Sequence, residues 1–249
     1  MKYLITLICL AIATIGWGQD QDNFDKATTF YQKGDYTQAA AVYSSILKSG
    51  KESSALYYNL GNTYYKLNNV PESIYYYEKA LQLDPENADA KNNLIFANQM
   101  KVDAITPLPK TWVRQLSDGI VGLFSAHTWA VLSIIGVFAF VLSFLLYYFV
   151  ERTALKRTFF SLMLVFLFFA IGSYTLAHFC HKQVSQTQYA ILFDKTVRVF
   201  SDANAYSSEV MQLHEGTKVE IIEDAKDWVK IRLVNGKTGW TKVSCLRKL

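Results

Sequence analysis

The chain has 249 residues, a formal net charge of +4 and three cysteines, and 51% of its residues are hydrophobic. That length holds one large domain or two or three small ones. The positive excess is mild and scattered, which excludes a basic stripe for nucleic acid. Cys9, Cys180 and Cys245 fall in three separate segments, which excludes both metal-ligand spacing and a disulfide framework.

The N-terminus reads MKYLITLICLAIATIGWGQD. Lys2 is a basic start, Tyr3–Ile15 is an apolar run too short to span a bilayer comfortably, and Gly16 and Gly18 stand at the −3 and −1 positions before Gln19. This is the pattern of a secretory signal over residues 1–18, with an uncleaved anchor as the alternative. Leu7 and Ile8 before Cys9 lack the small residue that a lipoprotein site requires.

Residues 19–101 repeat with a period of 34. Phe30 falls on Tyr64, Gly34 on Asn68, Ala39 on Ser73, Tyr43 on Tyr77 and Ile46 on Ala80. The second copy carries Leu60-Gly61, Tyr64, Tyr77, Ala80 and Pro85, a pattern that resembles the tetratricopeptide repeat. Gly61 and Ala80 are small where paired helices approach, Tyr64 and Tyr77 fill the space between them, and Pro85 stops a helix. Repeats are expected at about 20–53 and 54–87, followed by a closing helix near Ala88–Lys101 that covers the exposed apolar end. The resemblance implies a concave groove for an extended peptide or partner helix. Its wall would be Phe24, Thr28 and Tyr31, then Tyr58, Asn62 and Tyr65, then Asn92 and Phe96, with Asn62 foremost. The alternative is that these side chains only pack. Capture of a C-terminal carboxylate is not expected, because Phe24 or Tyr58 stands where the family's lysine would be.

Residues 102–128 read as a linker, broken at Thr106-Pro107-Leu108-Pro109, and an amphipathic helix. Trp112, Leu116, Ile120 and Leu123 recur at spacings of three and four, which suits a helix lying in a membrane interface or one packed on the repeats. Two uncharged runs follow, Trp129–Val150 and residues 158–180. Each is long enough to cross the roughly 30 Å hydrocarbon core as a helix and apolar on every face. Between them lies ERTALKR, residues 151–157, with Arg152, Lys156 and Arg157 against Glu151. Short loops rich in Lys and Arg stay cytoplasmic. The signal segment gives the same orientation, so both soluble parts are expected in the periplasm, on a multi-pass protein of the inner membrane. Neither span carries an acid or base in its central turns, which argues against an ion path. His178, Cys180 and His181 cluster at the end of the second run but lack a further ligand at helical spacing, so no metal is expected.

From residue 184 the period changes to strand alternation, in TVRVF, GTKVEIIED and DWVKIRLVNGKTGWTKV. Asn235-Gly236 predicts a type I′ hairpin turn. Leu213-His-Glu-Gly216, Asp227-Trp228-Val-Lys-Ile231 and Gly236-Lys-Thr-Gly-Trp240 come in an order that resembles the bacterial SH3-like domain, expected over 184–249 as a small barrel. Trp228 is expected in its core and Trp240 on its ligand surface. The fold class is therefore a multidomain membrane protein: an all-α tetratricopeptide solenoid, a two-helix transmembrane hairpin and a small all-β SH3-like barrel.

No Gly-rich phosphate loop and no nucleophile–base motif appear, so neither an enzyme nor a cofactor is expected. The whole order, with YYNLGNTYYKL, DPENADAKNNL, LFSAHTWAVLSI and HEGTKVEIIEDAKDWVKIRLVNGKTGW, resembles the BatE-like tetratricopeptide members of the Bacteroidetes aerotolerance (Bat) operon family. That resemblance implies a membrane scaffold partnered by von Willebrand factor A-type membrane proteins and, through them, a MoxR-type ATPase. Its process would be aerotolerance or envelope stress. The alternative is an envelope sensor whose SH3-like domain binds peptidoglycan peptide.

Overall fold

Four successive helices begin at a side chain that accepts a hydrogen bond from the backbone three residues on. Asp35 caps α2 (Tyr36–Lys48), Ser53 caps α3 (Ser54–Lys66), Asn69 caps α4 (Val70–Leu83) and Asn87 caps α5 (Ala88–Gln99). They follow α1, residues 21–32. The computed structural model describes residues 21–109, 111–186 and 188–249, so the expected signal segment lies outside the described residues. The turns from α1 to α2 and from α3 to α4 are built alike. Gly34 (φ 81°) and Asn68 (φ 57°), one repeat apart, both take the left-handed conformation that glycine and asparagine tolerate best.

The repeat core joins Ala27, Ala39, Tyr43, Ile46, Leu56, Tyr57, Leu60, Tyr76, Ala80 and Ala90, all buried. Gly61 lets α3 approach the Tyr77 ring: a Cβ there would lie 2.6 Å from two ring carbons. Tyr64 stacks on Tyr76, ring centroids 5.5 Å apart.

The chain forms two compact units. One joins the residues up to Pro107 with Gln188–Leu249; the other is Leu108–Thr187. In the second, α6 (Trp112–Val121) leaves Trp112 75% and Leu116 58% exposed, an uncovered apolar face. α7 (Ala126–Phe149) and α8 (Thr153–Gln186) are long and apolar enough to cross a membrane. Their contact buries small residues, Gly136, Ser143, Ala170 and Ser173, and Ser133 donates to the Ala170 carbonyl at 3.0 Å. Of ERTALKR, only Glu151 and Arg152 stand outside the helices.

In the first unit the C-terminal strands are β1 (Gln188–Leu192), β2 (Thr196–Phe200), β3 (Glu209–His214), β4 (Lys218–Ala225), β5 (Trp228–Arg232), β6 (Thr238–Lys242) and β7 (Leu246–Lys248). They form one antiparallel sheet in the order β3-β2-β6-β5-β4-β1-β7. This corrects the expected barrel, because the sheet does not close. β3 and β7 are its two edges. β2 reaches β6 through the single pair Phe200–Trp240, beyond a register shift at Val199/Phe200, and the three-residue β7 pairs only with β1. One face still gathers a core: Ala190, Leu192, Val197, Val199, Leu213, Val219, Val229, Ile231 and Leu233.

Two smaller expectations are corrected as well. Trp228 is half-buried on the other face, in phase with Lys230 and Arg232, because the strand alternation puts Val229 and Ile231 inside. The hairpin after β5 is not type I′. Among the described residues of that turn only Gly236 has positive φ (80°), closing a loop in which Gly236 donates to Leu233 and Leu233 donates to Lys237.

Gly61→Ala should destabilise the protein by about 1–3 kcal/mol, since its methyl overlaps the buried ring of Tyr77. Chemical denaturation of the full chain in detergent, read by far-UV circular dichroism, checks this.

Candidate functional site

Helices α1, α3, α4 and α5 together wall a cavity of about 180 Å³. Its lining is Tyr31, Asn62, Tyr65, Lys66, Tyr77, Asn93 and Phe96. Asn62 is its polar centre: Oδ1 accepts from the Tyr77 hydroxyl at 2.6 Å and from Asn93 Nδ2 at 2.8 Å. Both bonds engage the oxygen, which orients the amide nitrogen as the donor left for a ligand. Asn93 Nδ2 also reaches the Tyr58 hydroxyl at 3.3 Å. Burial raises the phenol pKa of Tyr77 and Tyr31 further above the ordinary value, and Tyr77 keeps the proton that it donates to Asn62. A cavity of aromatic walls, two amides and one lysine can seat a side chain and grip the backbone beside it.

Of the residues expected in the groove, Tyr31, Asn62, Tyr65 and Phe96 line this cavity, and Tyr58 touches its Asn93 wall. Asn92 is exposed and absent from the lining; its neighbour Asn93 stands there instead. Phe24 lines a different cavity, with Ile46, Ser53 and Leu56, and meets Tyr43 edge-on at 5.5 Å. Thr28 shares a 2.9 Å hydrogen bond with the Tyr43 hydroxyl. Lys66 and Tyr77 were not anticipated. The helical phase of α3 offers Lys66 as the residue one turn beyond Asn62.

On the sheet, Trp240 is half-buried on the outer face, with Lys230 Nζ 5.7 Å from its ring. Phe200 pairs with it across the strands and meets Trp228 edge-on at 5.6 Å. Among the described residues, no group of three or more His, Cys, Asp or Glu side chains gathers as a metal site.

The sheet is docked on the repeats. Ile191 is buried against Ile74, Tyr77 and Ala97. Arg247 lies 3.8 Å from the Tyr75 ring centroid and 4.1 Å from that of Phe193, and pairs with Glu72. Lys218 bonds Glu78 at 2.7 Å. Asp103, beyond α5, is 12% exposed and accepts three bonds from the sheet. They come from the His214 backbone at 2.7 Å, the Thr217 hydroxyl at 2.7 Å and His214 Nδ1 at 2.8 Å. Burial alone would raise the Asp103 carboxyl, but these hydrogen bonds outweigh it and hold its pKa below the ordinary 3.8.

Residues 24–88 match the tetratricopeptide repeat family and residues 195–247 match the bacterial SH3 domain family. No curated protein matches the chain. The chain thus carries a tetratricopeptide-repeat region and an SH3-like domain, two kinds of module that generally bind rather than catalyse, on either side of two helices long and apolar enough to cross a membrane.

Asp103→Ala should cost about 1–3 kcal/mol, because it strands the buried Thr217 hydroxyl and the His214 amide. The ionised Asp103 contributes its stability in full above the unfolded value. That contribution disappears as pH falls through the lowered folded value. Urea midpoints of the wild type and Asp103→Asn, taken from about pH 6 down to about pH 2.5, should therefore converge on acidification.

Proposed function

We propose that the protein is a non-enzymatic scaffold of the inner membrane. Its repeat groove holds a segment of a partner protein, and its SH3-like domain adds a second contact. The observation that carries this reading is the docking of two interaction modules into one compact unit, although residues 108–187, with both apolar helices, separate them in the chain. A hairpin of two spans returns the chain to the side it left, so a contact between the flanking modules supports placing them on one face. The charges of Arg152, Lys156 and Arg157 and the N-terminal signal pattern support the periplasm as that face.

The partners follow from the BatE-like resemblance: von Willebrand A-type Bat membrane proteins, linked to a MoxR-type ATPase, in aerotolerance or envelope stress. The groove supports such a partner physically. Asn93 and Tyr77 hold the Asn62 oxygen, which leaves the Asn62 amide nitrogen as a donor in an aromatic cleft, and this suits an extended backbone carrying an apolar side chain.

A second reading is an envelope sensor whose SH3-like domain binds peptidoglycan peptide. The exposed-side strip of Phe200, Trp228 and Trp240, with Lys230 beside it, favours this reading as a ligand surface.

In-membrane crosslinking and pull-down of the full chain tests the scaffold. Wild type should recover von Willebrand A-type membrane proteins, and Asn62→Ala/Tyr65→Ala should lose them by about tenfold or more, as the loss of a central contact at an interface does. Equal recovery would move the contact away from the groove. Recovery of wall fragments with no protein partner would favour the sensor.

A further inference from the structure

Residues 101–105 run from the end of α5 along the SH3-like sheet with the period of a strand. Lys101, Asp103 and Ile105 are half-buried, while Val102 and Ala104 are exposed. Each inward residue meets a distinct feature of the sheet. Lys101 lies over Gly216, where a Cβ would come within 3.3 Å of its Cγ. Asp103 takes the His214 amide, the His214 imidazole and the Thr217 hydroxyl. Ile105 packs against the sheet's own core.

The His214 amide belongs to β3, one of the two open edges of the sheet. It turns away from β2 to meet Asp103. Thr217 is only 2% exposed, so its hydroxyl has no water to fall back on. Three convergent donors for one carboxylate, one of them buried, and an apolar position two residues on are the parts of a peptide site.

We infer that the SH3-like domain carries a binding site for an extended peptide of the pattern acidic–any–aliphatic, at the β3 edge and the β3–β4 turn, and that the chain's own Asp103-Ala104-Ile105 occupies it. A partner segment with the same pattern exchanges with this strap. Asparagine in place of the aspartate removes the charge that the three donors share and turns an amide toward them, so the site discriminates between the two. The strap is tethered beside its site, and such short tethers act at an effective concentration on the order of millimolar. A free peptide therefore competes poorly with an intact strap and well with a weakened one. This inference goes beyond the scaffold reading and does not depend on the repeat groove.

The test titrates a fluorescein-labelled peptide copying residues 101–107 against the full chain in lipid nanodiscs, followed by anisotropy. The Asp103→Asn chain should bind it about tenfold or more tightly than wild type does. The same peptide carrying Asp103→Asn should bind neither, and adding Thr217→Val to the Asp103→Asn chain should remove binding. Binding no tighter in the Asp103→Asn chain than in wild type, or indifferent to the peptide's aspartate, overturns the site. If circular dichroism shows that the Asp103→Asn chain does not fold, the wild type decides. A photo-reactive form of the peptide, at about millimolar concentration to match the tether, should label residues 209–218 and be displaced by the unlabelled peptide but not by its asparagine form. Labelling elsewhere, or none, overturns the inference.

Discussion

Arg247 joins the last strand of the sheet to the second helix of the second repeat. Its guanidinium lies 3.8 Å from the Tyr75 ring centroid and 4.1 Å from that of Phe193, in the corner where those two rings meet edge-on, and it pairs with Glu72. A planar, permanently charged group can lie against aromatic rings and pair with a carboxylate at once, which the compact ammonium of a lysine does not reproduce. The arrangement also carries a cost, for Arg247 Nε is buried without a hydrogen-bond partner. Ring stacking, the Glu72 pair and the neighbouring apolar contact of Ile191 with Ile74, Tyr77 and Ala97 must together outweigh it. The rest of the first unit is arranged around this contact. α4 gives Tyr77 to the groove wall, and meets the sheet through Glu72, Ile74, Tyr75 and Tyr77, so one helix serves both modules.

The covalent route between the two halves of that contact runs through residues 108–187. The unit can close only after both apolar helices and all seven strands exist. Its formation therefore depends on non-local contacts such as His214 with Asp103, 111 positions apart. The open sheet is consistent with this. A sheet that docks on a second module and takes Ile105 into its core does not need to complete its own ladder.

Local features of this fold were plain in the sequence. The 34-residue period set Gly34 opposite Asn68, and the two occupy equivalent left-handed turns. The tetratricopeptide resemblance brought Tyr31, Asn62, Tyr65 and Phe96 together, and they line one cavity; Asn93 rather than Asn92 stands beside them, and α5 lacks a clear apolar stripe from which its rotation could be read. Trp228 misled because a large aromatic at the head of a strand reads as core, while the phase of Val229 and Ile231 decides otherwise. The open edges of the sheet, the Asp103 clasp and the seat of Arg247 could not be read at all. Each depends on which distant residues meet, and single aspartates and arginines in a chain do not announce their partners.

The central claim is that the segments before the first apolar helix and after the second form one docked unit in the intact protein. Zero-length carbodiimide crosslinking of the full chain in membranes, read by peptide mass spectrometry on the monomer, tests it most directly. Glu78 and Lys218 are 2.7 Å apart and should be joined, as should Asp224 and Lys248, also 2.7 Å apart but both within the sheet. An Asp224–Lys248 crosslink without any Glu78–Lys218 crosslink would contradict the docked unit.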